Sequence, residues 1–306
     1  MSIQAPSSVV MIRPDQFHPN PQTAGDNVFQ TELSNDPAAI AAKAQNEFDQ
    51  AVSALQGAGI GVHVFQDHGV DTPDSVFPNN WFSTHAGGSV AVYPMYAENR
   101  RRERRSDVIE MLKQDYRVQE VVDYSGLEPD GLYLEGTGAM VIDHLTRVAY
   151  VARSHRADPI LLERFCTQFG YEPIVFDAVD QNGVPVYHTN VLMAIGTKVA
   201  MVGLDMIPDR DRRAEIERRL REPDREVVAL THEQIHAFAG NAIELSSPDG
   251  RVLALSQCAF DALTPDQVIT LEQSVRLLPL SIPTLESAGG SVRCMLAGIH
   301  LSKRNP

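Results

Sequence analysis

Cysteine is scarce in this chain: Cys166, Cys258 and Cys294 are the only three, odd in number and far apart. That excludes a disulfide framework and fits a reducing compartment, so the cytoplasm is the expected location. Long apolar runs are missing too. None approaches the roughly 20 residues that cross a bilayer, and MSIQAPSSVV lacks the basic and apolar blocks of a signal peptide. Basic charge is in deficit, with 26 Lys and Arg against 40 Asp and Glu and a net charge of −14. Nucleic acid and anionic lipid both call for a basic surface, so neither is an expected partner. A small molecule is the partner this balance permits, because a few placed arginines can hold even an anionic one. The remainder is 43% hydrophobic and 22% charged, the makeup of a globular protein with a sizeable core. Its 306 residues suffice for one large domain or two ordinary ones.

An internal repeat decides between these. NAIELSSPDGRVLALS reads as a hairpin turning at Ser-Pro-Asp-Gly. TPDQVITLEQ follows as a helix capped by Thr264 with Pro265 at its first position, then LLPLSIP as a strand. The same order of hairpin, helix and strand occurs in HTNVLMAIGTKVAMVGL, DRRAEIERRLRE and EVVALT. It recurs in GTGAMVIDHLTRVAYVARS, DPILLERFCTQFG and YEPIVFDA, and in NNWFSTHAGGSVAVYP, RRERRSDVIEMLKQD and YRVQEVVDYS. A fifth unit is split across the termini: SVRCMLAGIHL pairs with VVMIRP, and the helix PAAIAAKAQNEFDQAVSALQGAG and strand VHVFQD complete it. The expectation is a single catalytic domain over 1–306, a five-bladed pseudo-symmetric α/β propeller whose fifth blade is closed by both termini. An ordinary α/β sandwich with alternating elements is the alternative.

A ring of this kind brings equivalent positions of its blades to one end of the central axis. Those positions carry Asn80, Glu135, His188 with Asn190, Asn241 and Cys294. Cys166, mid-helix among apolar neighbours, and Cys258 are expected to be buried, inert thiols. Cys294 shares its blade position with His188 and Glu135, and a thiolate, a His acid/base and a carboxylate to orient it make a cysteine-hydrolase set.

With the motifs DSVFPNNW, LEGTGAMV, RSHRAD, HTNV and GGSVRC dispersed over nearly its whole length, the chain resembles the guanidino-group-modifying enzymes, which comprise arginine deiminases, dimethylarginine hydrolases and amidinotransferases. The resemblance implies a five-bladed α/β propeller with the site in its central channel and no cofactor. It further implies Cys294 as nucleophile, His188 as general acid/base, Glu135 as the acid of Leu-Glu-Gly, and Arg156 as holder of a substrate α-carboxylate, with one arginine of Arg100-Arg101-Arg102, taken as Arg101, sharing that task.

The departures from the family pattern are informative. Arginine deiminases place an Asp where Asn80 and Asn190 stand here, and that pair grips the cationic guanidinium. A carboxylate only accepts hydrogen bonds, whereas an amide also donates and is uncharged; burying a guanidinium without a counter-charge is costly. Two Asn side chains suit the neutral ureido group, with its carbonyl needing donors and its NH2 needing acceptors. The resemblance is therefore closest to the citrulline-utilisation hydrolase branch, which implies hydrolysis of citrulline to ornithine, ammonia and carbon dioxide. Arginine deiminase, arginine dihydrolase or dimethylarginine hydrolase activity is the alternative, with a carboxylate such as Asp74 compensating. FHPNPQTAGDN, residues 17–27, is expected to be a lid or a plain surface loop; as a lid, its Asn20 would reach the substrate's amino-acid end. Asp74 is a cap or a contact to the substrate amine, and Trp81 packs at the channel wall.

A different class is spelled by THEQIHAF, a His-Glu-x-x-His with His232 and His236 as zinc ligands and Glu233 as base. It lacks the long helix and the third ligand of a zinc peptidase, so no metal is expected. A non-catalytic sensor is a third class, and the presence of Cys294, His188 and Glu135 together speaks against it. A homodimer is the expectation from general frequency.

Overall fold

A computed structural model describes all residues except 1, 2, 32, 34, 35, 70, 223, 305 and 306. Its strands are β1 (Ser8–Arg13), β2 (Gly61–Gln66), β3 (Phe82–His85), β4 (Ser89–Val92), β5 (Glu120–Asp123), β6 (Val141–Asp143), β7 (Val148–Ala152), β8 (Glu172–Phe176), β9 (Met193–Ile195), β10 (Val199–Val202), β11 (Glu226–Ala229), β12 (Ile243–Ser247), β13 (Gly250–Ser256), β14 (Arg276–Leu280) and β15 (Ala297–Gly298). They form five three-stranded sheets, ordered β15-β1-β2, β3-β4-β5, β6-β7-β8, β9-β10-β11 and β12-β13-β14.

Every sheet obeys one rule: the middle strand is antiparallel to the first and parallel to the third. The parallel step needs a crossover, and helices Pro37–Gly57, Ser106–Asp115, Pro159–Phe169, Arg210–Arg221 and Pro265–Glu272 supply it. Middle strands read as continuous apolar runs because both faces are covered, as in VAYVA and VAMV, which are buried throughout. Outer strands such as EVVD meet solvent. The split unit is as expected, since C-terminal β15 pairs with N-terminal β1.

Local chemistry sets the helix ends. Asp158 caps Pro159–Phe169 at the backbone of Ile160 and Leu161, and Gly170 stops it at φ 68°. Thr264 and Gln267 form a capping box ahead of Val268. Along Pro37–Gly57, Ile40, Ala44, Phe48, Ala51 and Leu55 recur at helical spacing and face the core.

Each unit is hydrogen-bonded to the next. Thr84 Oγ1 donates to Gly298 O, His85 Nδ1 meets the Tyr171 hydroxyl, and Thr189 Oγ1 donates to Ala139 O. Thr197 donates to Glu244 Oε2, and Ser246 N to Pro6 O. Gln4 Nε2 reaches Ile142 O and Ile195 O, tying three units together. Among the described residues no helix is long and apolar enough to cross a membrane.

Three expectations need correction. RRERRSDVIEMLKQD is not one helix; a 3₁₀ turn, Asn99–Glu103, is separated from Ser106–Asp115 by extended Arg104. The first strands start later than expected, because a single helical turn precedes most of them: Pro78–Asn80, Gly136–Ala139, Thr189–Leu192 and Val292–Met295. Cys258 is exposed rather than buried.

Candidate active site

The helical turns hold the candidate site residues. Glu135 and His188 are the residues immediately before their turns, whereas Cys294 is the third residue of its own. Counted from the turn, Ser291 is the counterpart of His188, and Cys294 corresponds to Gly138 and Asn80. The expected single register is thus two registers. One helical turn still sets residues three apart on the same face, so His188 of the first set and Asn80 and Cys294 of the second line one cavity.

That cavity is lined by Asp74, Asn80, Arg100, Arg156, His188 and Cys294, among others, and measures about 10 Å³. The glycines of Leu-Glu-Gly-Thr-Gly have a steric reason. A Cβ on Gly138 would sit 2.1 Å from Asn80 Nδ2 and 2.8 Å from His188 Nδ1, and Gly136 adopts φ 48° against the Asn79 and Asn80 carbonyls.

His188 Nε2 lies 2.8 Å from Glu135 Oε2. Burial would raise the fully buried Glu135 carboxyl, yet Arg156, the His188 hydrogen bond and Arg100 hold it down to about 2. Its other oxygen accepts from Tyr96 N at 2.9 Å. An ionised Glu135 fixes the His188 proton on Nε2 and leaves Nδ1 as the basic nitrogen. Burial brings His188 down to about 4 against the pull of Glu135, with Arg156 and Arg100 adding to the drop. Tyr187 packs on its ring at 4.7 Å.

Cys294 Sγ accepts from two amides, Asn190 Nδ2 at 3.2 Å and Asn241 Nδ2 at 3.3 Å. Asn241 also donates to Asn190 O at 2.9 Å and accepts from Cys294 N at 3.4 Å, so it holds both the side chain and the backbone of Cys294. Its place in the repeat was visible in the sequence; its contact with the sulfur was not. Cys166 is buried, and burial pushes its thiol up to about 12, consistent with an inert thiol.

Asn80 Oδ1 accepts from Arg100 Nη2 at 3.0 Å, which fixes the amide because a guanidinium only donates. Asn80 Nδ2, Asn190 Oδ1 and Asp74 Oδ1 are buried and have no hydrogen-bond partner among the described residues. Arg101 is a correction: it turns away to the Met95 and Tyr96 carbonyls and over the Tyr133 ring, and Arg100 enters the site instead. Arg100 is 2% exposed and bridges Glu103, Asn80 and Asp74, with Glu135 at 3.7 Å.

Arg156 does reach the cavity, but the loop over residues 17–27 engages it. Arg156 Nε donates to Asp26 Oδ2 at 3.0 Å, and Nη2 donates to Asp26 Oδ1. Asn20 is fully buried and spends its amide on Asp74 Oδ2 at 2.8 Å and on Asn99. Sequence gave no sign of Asp26, since its partner is fixed only by the loop's path.

The His-Glu-x-x-His segment lies elsewhere. Its helix, His232–His236, is five residues long under a Thr231 and Gln234 capping box; Glu233 meets Gln181 and His236 packs on Phe29. Among the described residues no three His, Cys, Asp or Glu side chains are grouped to hold a metal ion.

Comparison with known proteins fits this picture. No curated protein sequence matches the chain. Among solved structures it is similar to the N-terminal domain of ArgZ, an arginine dihydrolase from the ornithine-ammonia cycle in cyanobacteria, bound to substrate. The TM-score is 0.72 at 14% identity, covering 95% of this chain and 97% of that one. It is similar to an AgrE variant in complex with L-arginine, with a TM-score of 0.73 at 16% identity, covering 97% of this chain and 41% of AgrE. A dimethylarginine dimethylaminohydrolase variant carrying an S-methyl-L-thiocitrulline adduct aligns with a TM-score of 0.63 at 13% identity, covering 96% of this chain and all of that one. At these identities the likeness establishes the fold, the five-fold repeat of the penteins. The sequence model of the family described as eukaryotic N,N-dimethylarginine dimethylhydrolase matches residues 13–301, and the chain belongs to that family and to the guanidino-modifying superfamily around it.

Proposed function

We propose that the protein is a cysteine hydrolase of carbon–nitrogen bonds acting on the ureido group of citrulline, with the five sheets arranged as a closed ring around its site. One observation carries the substrate: the buried amides of Asn80, in the cavity wall, and of Asn190, on the Cys294 sulfur, leave one donor, Asn80 Nδ2, and one acceptor, Asn190 Oδ1, unpaired. A neutral ureido group offers a carbonyl to the first and an NH2 to the second. The Asp74 carboxylate suits the α-ammonium, and Arg156 with Arg100 suits the α-carboxylate.

In the reaction, the Cys294 thiol gives its proton to His188 Nδ1 and the thiolate attacks the ureido carbon. His188 passes that proton to the leaving nitrogen as the carbon–nitrogen bond breaks, and Glu135 holds the imidazolium meanwhile. His188 then takes a proton from water, whose oxygen attacks the thioester carbon. Sulfur leaves as thiolate, and the released carbamate splits its remaining carbon–nitrogen bond to give carbon dioxide and the second amine, so the products sum to ornithine, ammonia and carbon dioxide for one citrulline and one water. Asn190 and Asn241 hold the sulfur in line throughout.

The second reading is hydrolysis of arginine or a methylated arginine, favoured by the family match and by the solved relatives named above. Asp74 and Glu135 would then face the guanidinium. Acid-quenched mixtures of protein with each substrate, digested and weighed by mass spectrometry, test the scheme. A covalent adduct on the Cys294 peptide from citrulline supports it, and an adduct only from arginine or dimethylarginine favours the second reading.

A further inference from the structure

We propose that Asp26 and Asn20 of the 17–27 loop occupy, in the closed site, the places of the carboxylate and ammonium of a free α-amino acid, so that a ligand enters by exchanging its own two groups for theirs. The inference rests on the amino-acid reading above and adds how that site is gated.

The two groups expected to hold the ends of an amino acid are both engaged from one loop. Arg156, 2% exposed, presents its fork to the Asp26 carboxylate. Asp74 Oδ2 takes the N–H of Asn20 at 2.8 Å. The loop is anchored over the mouth by Asn99 N to Gln22 Oε1 at 3.0 Å, by Gln30 Nε2 to Thr23 Oγ1 at 2.6 Å, and by Asn27 Nδ2 to Gly289 O at 3.4 Å. The space left among the catalytic groups is about 10 Å³, room for about one water molecule. An amino acid therefore enters only when the loop gives way.

The exchange selects for chemistry. A ligand carboxylate that replaces Asp26 restores the ion pair of Arg156, so opening costs little. A ligand without a carboxylate opens the loop only by leaving a buried guanidinium with a lost partner, which is strongly unfavourable. Asp26 thereby acts as a specificity-determining residue although it makes no contact with the reacting carbon. Its own side chain is 26% exposed, so it reaches water readily once released.

The isosteric Asp26→Asn variant tests this, read by hydrogen exchange of the loop amides and by steady-state kinetics with citrulline. Removing the charge should speed exchange at Gln22, Thr23 and Asn27 in the ligand-free protein and lower KM about fivefold, since the open form is no longer outcompeted. Unchanged exchange, or a raised KM, overturns the proposal. Faster exchange in a protein that never turns over citrulline supports the latch and removes the ureido reading, so the two fail separately.

Discussion

The cavity lined by Cys294 and His188 and a second cavity lined from all five units are both polar, both histidine-bearing and both assembled from the repeated units, yet they are built for different ends. This second cavity measures about 50 Å³ and has His85, His144, His300 and Arg293 in its wall. There, His85 and His144 share the Tyr171 hydroxyl, and the His144 and His300 rings lie 4.0 Å apart. Among the described residues His188 is the one histidine paired with a carboxylate. Burial lowers all four: His85 and His144 well below the usual value, His188 and His300 to about 4. The difference is what each can do after a proton arrives. Glu135 stands ready to stabilise an imidazolium on His188, whereas the other three have no carboxylate, and Arg147 beside His85 and His144 and Arg293 beside His144 and His300 repel the charge. A buried histidine becomes an acid/base by the acid behind it.

Substitutions can break that contrast. Glu135→Gln should cut kcat by on the order of 1,000-fold, while His144→Asn should leave kcat within about twofold and lower the melting temperature through a lost buried hydrogen bond. Comparable losses of turnover in both would erase the distinction. Asn80→Asp with Asn190→Asp should lower citrulline turnover about 100-fold, by placing like charges where a donor and a neutral acceptor are needed; undiminished citrulline turnover in the double variant would contradict it. Asn241→Ala should cost about tenfold in turnover and slow iodoacetamide labelling of the Cys294 peptide by a similar factor, the loss of one hydrogen bond to the sulfur. Labelling at the wild-type rate would leave Asn241 a purely structural role.

The smallest effect concerns pH. The folded protein holds His63, His85, His144, His188 and His300 below the unfolded value of 6.5, so these five bind more protons in the unfolded chain as pH falls from 6.5 towards 4. Stability therefore falls as pH drops through that window. Glu135, held at about 2, adds a further loss as pH falls below 4.5. Glu103, raised to about 8 by burial, works the other way above pH 4.5, but the five histidines outnumber it, so thermal melts should decline from pH 6.5 to 4, less steeply in His144→Asn; a profile that rises towards pH 4 would contradict the burial of these histidines.

Much of this was legible in the chain. Thr264-Pro265, Asp158-Pro159 and Gly170 announce their helices because a cap is decided within four residues. Split β1 and β15 follow from counting units. The turns at Thr189–Leu192 and Val292–Met295 were hidden, since four residues are too few to show a helical period and their apolar residues continue into a strand. Arg100 enters the site rather than Arg101 because a 3₁₀ turn rotates side chains differently from the α-helix that the run of charges suggests. Asp26 and the Asn241 clamp depend on contacts between distant units, which local patterning does not encode.

The most direct test is turnover by purified protein of citrulline, arginine and dimethylarginine in parallel, scored by ornithine and ammonia, with Cys294→Ser as the control. The account predicts kcat/KM highest for citrulline and abolished in Cys294→Ser. Turnover of arginine or dimethylarginine without citrulline, or full activity without the Cys294 thiol, would contradict it.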